Sequence, residues 1–242
     1  MILAGTVLVS DQRIDKPGQM VDSESEVRIK GDSSKYVSRG GLKLEAALRE
    51  FDIDPEGKLC LDVGASTGGF TDCLLQRGAT QVWALDVGHN QLAWKIRNDA
   101  RVVVIEGHNA RDMPKERFGT TFEIATIDVS FISLTMVVPA VLSVVSDEAD
   151  IVALIKPQFE VGKGEVGKGG IVRDPRKHRA VLNGIVGFAA GIELDTFGLV
   201  ESPILGAQGN REFLIRLRKA GGQGIPALQV QERILDLTEL KS

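Results

Sequence analysis

The sequence predicts an α/β fold, a doubly wound and mainly parallel sheet of seven strands. Three observations predict it. From Ser38 onward, short apolar runs alternate with helix-patterned segments. Most of the runs are apolar throughout, the pattern of strands buried on both faces. A glycine-rich bend, GASTGG, follows the first of them, at Gly64–Gly69. With 242 residues, 43% hydrophobic and 26% charged, the chain can bury one substantial core with a small appendage beside it.

The appendage comes first. Residues 1–31 hold short β-rich runs, a Lys-Pro-Gly turn and a final strand, a segment too short to be expected to fold alone. Residues 32–38 read as a polar linker. SRGGLKLEAALREF then reads as an amphipathic helix, with Leu42, Leu44, Ala47 and Leu48 available for one face. Strands are expected near Leu59–Val63, Gln81–Asp86, Val102–Glu106, Ile124–Asp128, Ile151–Lys156, Leu199–Ile204 and Phe213–Leu217, with helices between most of them. Residues 39–220 therefore make one domain, and 221–242 a Gly-rich linker with a short helix or tail.

Bulk properties exclude several classes. Cys60 and Cys73 stand on an apolar run and a helical pattern, which suggests buried, reduced thiols in a cytoplasmic protein rather than disulfides or a metal site. His89, His108 and His178 lack metal-ligand spacing, so no metal is expected. The start lacks a basic leader with a long apolar core, and the longest apolar run, Leu134–Val145, is short and contains Pro139; neither a signal peptide nor a membrane span is expected. A net charge of −4 argues against indiscriminate coating of nucleic acid, yet Lys156–Arg179 holds seven basic residues against three acidic ones.

The chemistry is concentrated in CLDVGASTGGFTDCLLQRGATQVWALDVG, where two apolar runs each end in Asp-Val-Gly. In a doubly wound sheet, ligands sit beyond the carboxyl ends of the strands at the topological switch point. Asp62 and Asp86 are expected at such ends, while Gly64, Gly68 and Gly69 let backbone approach a ligand closely. The dinucleotide fingerprint G-x-G-x-x-G fails, because Ser66 occupies its second glycine. An acid before the bend disfavours phosphate and favours a cationic or zwitterionic ligand such as S-adenosylmethionine. A second glycine-rich stretch, GKGEVGKG, matches a phosphate-binding loop as far as Gly-Lys, but Gly169 stands where the magnesium-binding Ser or Thr belongs. A mobile, basic loop after Lys156 suits RNA phosphates better, through Lys163, Lys168, Arg173, Arg176 and Lys177.

DVGASTGGFTD, ALDVGHNQLAWKIR, IDVSFISL, LIKPQFEVGKGEVGKGGIVRDPRKH and GNREFLIRL, in this order, resemble the TlyA (hemolysin A) family of ribosomal RNA 2′-O-methyltransferases, within the FtsJ-like group. The resemblance runs from about Lys35 to Lys219. ILAGTVLVSDQRIDKPGQMV is similar to the second half of an RNA-binding domain of the ribosomal protein S-four type. The helical first half is absent, so either the start is truncated or the chain works with a reduced module.

The resemblance implies a Rossmann-like domain that uses S-adenosylmethionine, a ribosomal RNA or ribosomal-subunit partner, and a catalytic tetrad of Lys43, Asp128, Lys156 and Glu212. A ribose 2′-hydroxyl is a poor nucleophile, so in-line attack on a sulfonium methyl needs removal of its proton and alignment. Lys156 is the expected general base, with Lys43 as a second positive charge that eases release of its proton and can meet a phosphate; Asp128 and Glu212 orient the lysines. Among cofactor contacts, Gly64, Ser66 and Gly69 line the methionine end, Asp86 meets the ribose hydroxyls, Asn109 the adenine side, and Asp62 acts through the motif backbone or the ammonium. Phe70 and Phe131 can pack on the ligand. Two rivals remain: a base N-methyltransferase, because DVSF at Asp128–Phe131 faintly resembles the Asp-Pro-Pro-Tyr motif, and an RNA-binding or hemolysin-like protein without catalysis.

Overall fold

The computed structural model describes residues 2, 7–10, 12–29, 35–113, 115–162, 164–221 and 224–239. The chain divides into two units, Met1–Lys35 and Tyr36–Ser242. In the first, β1 (Val7–Val9), β2 (Gln12–Ile14) and β3 (Val27–Ile29) form an antiparallel sheet in the order β2-β1-β3.

The second unit is built on seven strands: β4 (Leu59–Val63), β5 (Gln81–Leu85), β6 (Val102–Ile105), β7 (Phe122–Ile127), β8 (Val145–Ile155), β9 (Leu194–Glu201) and β10 (Phe213–Lys219). Their order is β6-β5-β4-β7-β8-β10-β9. The pairs from β6 through β8 are parallel, and β10 runs antiparallel to both β8 and β9. Chain order reverses on either side of β4, which places the switch point between β4 and β7.

Strand alternation splits the core into two layers. Leu61 and Val63 face one layer with α5 (Leu134–Leu142), α7 (Pro175–Gly191) and α8 (Ala227–Thr238). Cys60 faces the other with α1 (Gly40–Glu50), α2 (Gly69–Gln76) and α3 (Trp94–Arg97). In α1, Leu44, Ala47 and Leu48 are buried, whereas Leu42 is exposed: two positions before Leu44 is about 200° around the helix, on the opposite side.

Three boundaries differ from expectation. The end of the linker belongs to the second unit, because Tyr36 is buried against Gly41 and the Val37 amide donates to Asp72 Oδ2 at 2.9 Å. Residues 30–34 lie outside the described residues. The expected C-terminal tail contains α8, whose Val230, Ile234 and Leu237 enter the core at i, i+4, i+7 spacing. Both β8 and β9 begin five or six residues before the apolar runs that announced them.

Candidate active site

The turn from β4 to α2 is the centre of the site. Gly64 sits at φ +86°, and a Cβ there would lie 2.6 Å from the Asp128 carbonyl oxygen, so the turn packs backbone to backbone on the segment after β7. At Gly69 a Cβ would strike the Ser38 hydroxyl, so this glycine lets the starts of α1 and α2 touch. The two halves of the motif SRGG and the motif GASTGG are thereby fitted to each other.

Two cavities meet at this turn. One, of about 510 Å³, is lined by Asp86, Val87, His108, Asn109, Val129 and Phe131, among others. The other, of about 440 Å³, is lined by Ser38, Arg39, Lys43, Phe70, Lys156 and Gly206, among others. Gly64, Ser66, Asp128 and Ser130 line both.

The second cavity holds the lysines. Lys156 Nζ lies 2.6 Å from Asp128 Oδ1 and donates to Ser130 Oγ at 3.0 Å. Lys43 Nζ donates to Glu212 Oε2 at 2.6 Å. Asp128 and Lys156 each follow the last residue of a parallel strand, and Glu212 precedes the first residue of β10. Because β10 is antiparallel, its start lies at the same sheet edge as the ends of β7 and β8, and a strand beginning can supply the fourth side chain. Glu212 is 2% exposed, and a Cβ on Gly206 would strike its carboxylate, so the loop after β9 closes over it.

The first cavity has the donor set that adenosine requires. Asp86 Oδ2 accepts from the Ser66 amide at 2.8 Å and Oδ1 from the Gly88 amide at 2.7 Å, which fixes the carboxylate and leaves lone pairs for ribose hydroxyls. Val87, Ala110 and Ile132 supply apolar wall for a flat base, Asn109 lies on the same wall, and the volume falls in the usual range for small-molecule sites. These residues fit S-adenosylmethionine. Asp86→Ala should weaken S-adenosylmethionine binding by roughly 1–3 kcal/mol, the cost of leaving polar partners unpaired, as read by titration calorimetry. An unchanged affinity would remove Asp86 from the site.

Several expected residues stand elsewhere. Asp62 is 0% exposed and lines neither cavity, so it does not meet a ligand's ammonium directly. Its side chain lies under α2, accepting from Thr71 Oγ1 at 2.6 Å and Thr126 Oγ1 at 3.0 Å. Burial pushes its carboxyl up to about 7, against the lowering effect of those hydroxyls. Phe70 and Phe131 do line the site: Phe70 is buried in the lysine cavity, and Phe131, at φ +63° and 91% exposed, lines the first cavity and packs against Phe159 with centroids 4.8 Å apart.

Of the basic loop residues, Lys163 lies outside the described residues. Lys168 and Arg173 are exposed, Arg176 pairs with the α7 cap Asp174 at 3.0 Å, and Lys177 pairs with Glu165 at 2.6 Å. Ser130, Ser38, Arg39 and Gly206 were not foreseen; the first three lie inside the motifs DVSF and SRGG, which was the available signal. Among the described residues no group of His, Cys, Asp and Glu could hold a metal ion, and no helix is long and apolar enough to cross a membrane.

Comparisons with known proteins agree with this geometry. A model of the FtsJ-like methyltransferase family matches residues 36–219. The chain is 43% identical over 235 residues to the 16S/23S rRNA (cytidine-2′-O)-methyltransferase TlyA of Mycobacterium tuberculosis, covering 97% of this chain and 88% of that one. It is 46% identical over 215 residues to Hemolysin A of Brachyspira hyodysenteriae, covering 88% and 89%. A solved structure from Streptococcus thermophilus superposes with a TM-score of 0.82 at 43% identity, over 98% of this chain and 86% of that one. The chain therefore belongs to the FtsJ-like methyltransferase family, in the branch that contains TlyA and hemolysin A.

Proposed function

We propose that this chain transfers the methyl group of S-adenosylmethionine to a ribose 2′-hydroxyl of ribosomal RNA. The observation that carries the reading is the lysine cavity: Lys43 and Lys156, each held by a carboxylate, line a space that opens at Gly64, Ser66, Asp128 and Ser130 into the cavity suited to adenosine. When bound there, S-adenosylmethionine supplies an electrophilic methyl on a sulfonium.

The chain's own residues do the rest. Lys156 Nζ, fixed between Asp128 and Ser130, first releases a proton to solvent and then, as the neutral amine, meets the incoming hydroxyl and takes its proton. Asp128 spans both cavities and so aligns the base with the methyl donor, and holding the reactants in line supplies much of the rate. Lys43, fixed by Glu212, presents a positive charge to the phosphate beside the target ribose. Lys168, Arg173 and Arg176 add exposed cations for more distant phosphates; with a net charge of −4, attraction to RNA is local to this face.

The rival reading as a base N-methyltransferase leaves the two carboxylate-paired lysines, Lys43 and Lys156, without a role, and DVSF lacks both prolines of the Asp-Pro-Pro-Tyr motif. The test is transfer of labelled methyl from S-adenosylmethionine to ribosomal subunits, followed by alkaline hydrolysis. A 2′-O-methyl group blocks cleavage at its own phosphodiester, so label should survive in dinucleotides. Label in mononucleotides would mean a methylated base, and binding of RNA without transfer would favour the non-catalytic reading.

A further inference from the structure

Asn210 joins the basic loop to the catalytic rim, and nothing in the proposed methyl transfer uses it. It is 1% exposed and stands two residues before Glu212. Its side-chain amide spends both ends on the loop: Oδ1 accepts from the Val172 amide at 3.0 Å, and Nδ2 donates to the Gly170 carbonyl at 2.9 Å. Its own carbonyl accepts from the Gly206 amide at 2.8 Å, which ties in the segment that closes over Glu212. From the other side, His178 Nε2 lies 2.9 Å from the Val172 carbonyl oxygen, and the Val172 side chain is buried. Gly170 and Val172 lie between Lys168 and Arg173, so this part of the loop is pinned where a mobile one was expected.

We propose that Asn210 is a positioning residue for RNA capture. It fixes the Lys168–Arg173 segment to the strand start that carries Glu212, and so holds the loop cations at a set distance from the Lys43–Glu212 pair. The proposal rests on the RNA-methyltransferase reading. Its physical basis is preorganisation: a loose loop must be ordered when RNA binds, at a cost in conformational entropy, whereas a pinned one presents its charges already in place. An amide placed here solely for folding would have no reason to affect RNA capture more than turnover.

The experiment compares Asn210→Ala with wild type on ribosomal subunits. Loss of two buried hydrogen bonds should raise the KM for RNA about tenfold and flatten its salt dependence. At saturating RNA, kcat should stay within about twofold, and the S-adenosylmethionine affinity should be unchanged. Trypsin should cut after Lys168 and Arg173 faster than in wild type. Gly170→Ala attacks the same clasp from the opposite side, because Gly170 sits at φ +77°, a left-handed conformation that a Cβ strains, and it should give the same pattern if Asn210→Ala fails to fold. A fall in kcat with the RNA KM unmoved would overturn the proposal, since Asn210 would then serve Glu212. Wild-type KM and trypsin resistance in both variants would overturn it equally. Should wild type transfer no methyl at all, the parent reading fails, and RNA affinity with the tryptic rates still decides whether the clasp exists.

Discussion

Lys156→Ala should lower methyl transfer by about 10²–10⁴, the usual contribution of a positioned general base, while S-adenosylmethionine still binds. The separation is expected because Lys156 lines only the second cavity, whereas Asp86 and the apolar wall of Val87, Ala110 and Ile132 line only the first. The fold should survive: Asp128 keeps 21% side-chain exposure, and the space the lysine vacates lets water reach its buried Oδ1. Lys156→Arg should not restore the rate, because a guanidinium stays protonated at working pH and cannot accept the hydroxyl proton. Full rescue by arginine would mean that the position supplies positive charge only. Loss of cofactor binding in the alanine variant would move Lys156 into the wrong cavity.

Lys43→Met should behave differently, as a loss of stability as well as of activity. Glu212 is 2% exposed and Lys43 12%, so removing the ammonium leaves a buried carboxylate uncompensated, at a cost on the order of 3–5 kcal/mol. Denaturant unfolding would read it directly. The double change Lys43→Met, Glu212→Leu should recover most of that stability, since apolar side chains of similar volume replace buried ion pairs at little cost, yet it should remain inactive. A single-variant loss below about 1 kcal/mol would place the pair among solvated surface bridges and remove its claim to a fixed geometry.

The two Asp-Val-Gly tripeptides show how much of the site was legible in sequence and where legibility stopped. Read as text they are identical; Asp86 was expected to meet ribose hydroxyls, and Asp62 to act through the motif backbone or a ligand's ammonium. In the fold, β4 runs on to Val63, so Asp62 is still a strand residue and its side chain turns under α2. By contrast β5 ends at Leu85, so Asp86 lies just past the strand and faces the cavity. Two residues of strand length separate the two outcomes, and composition does not encode them.

The seven strands were legible because most are buried on both faces and read as apolar runs. The early parts of β8 and β9 were not, because Asp147 and Glu148 are two consecutive exposed acids between buried Val145 and Ala149, and Asp195 stands between buried Leu194 and Thr196. The four side chains that form the two ion pairs were picked out through their motifs. Which lysine pairs with which carboxylate was not, since Lys43 and Glu212 are 169 residues apart and are joined only by the antiparallel placement of β10. The pinning of the basic loop escaped for the same reason: glycine content suggested freedom, and the buried amide that removes it comes 38 residues after Val172.

The shared floor of the two cavities also separates what can vary from what must stay. Segments following β5, β6 and β7 wall the adenosine side, whereas the start of α1 and the loop after β9 wall the lysine side, and only Gly64, Ser66, Asp128 and Ser130 answer to both. Substitutions at Arg39 or Ile204, which line only the lysine side, should therefore alter RNA recognition under the proposed function while S-adenosylmethionine affinity stays unchanged. Under the proposed function a change of target needs change in one wall alone, whereas the four common residues serve both halves.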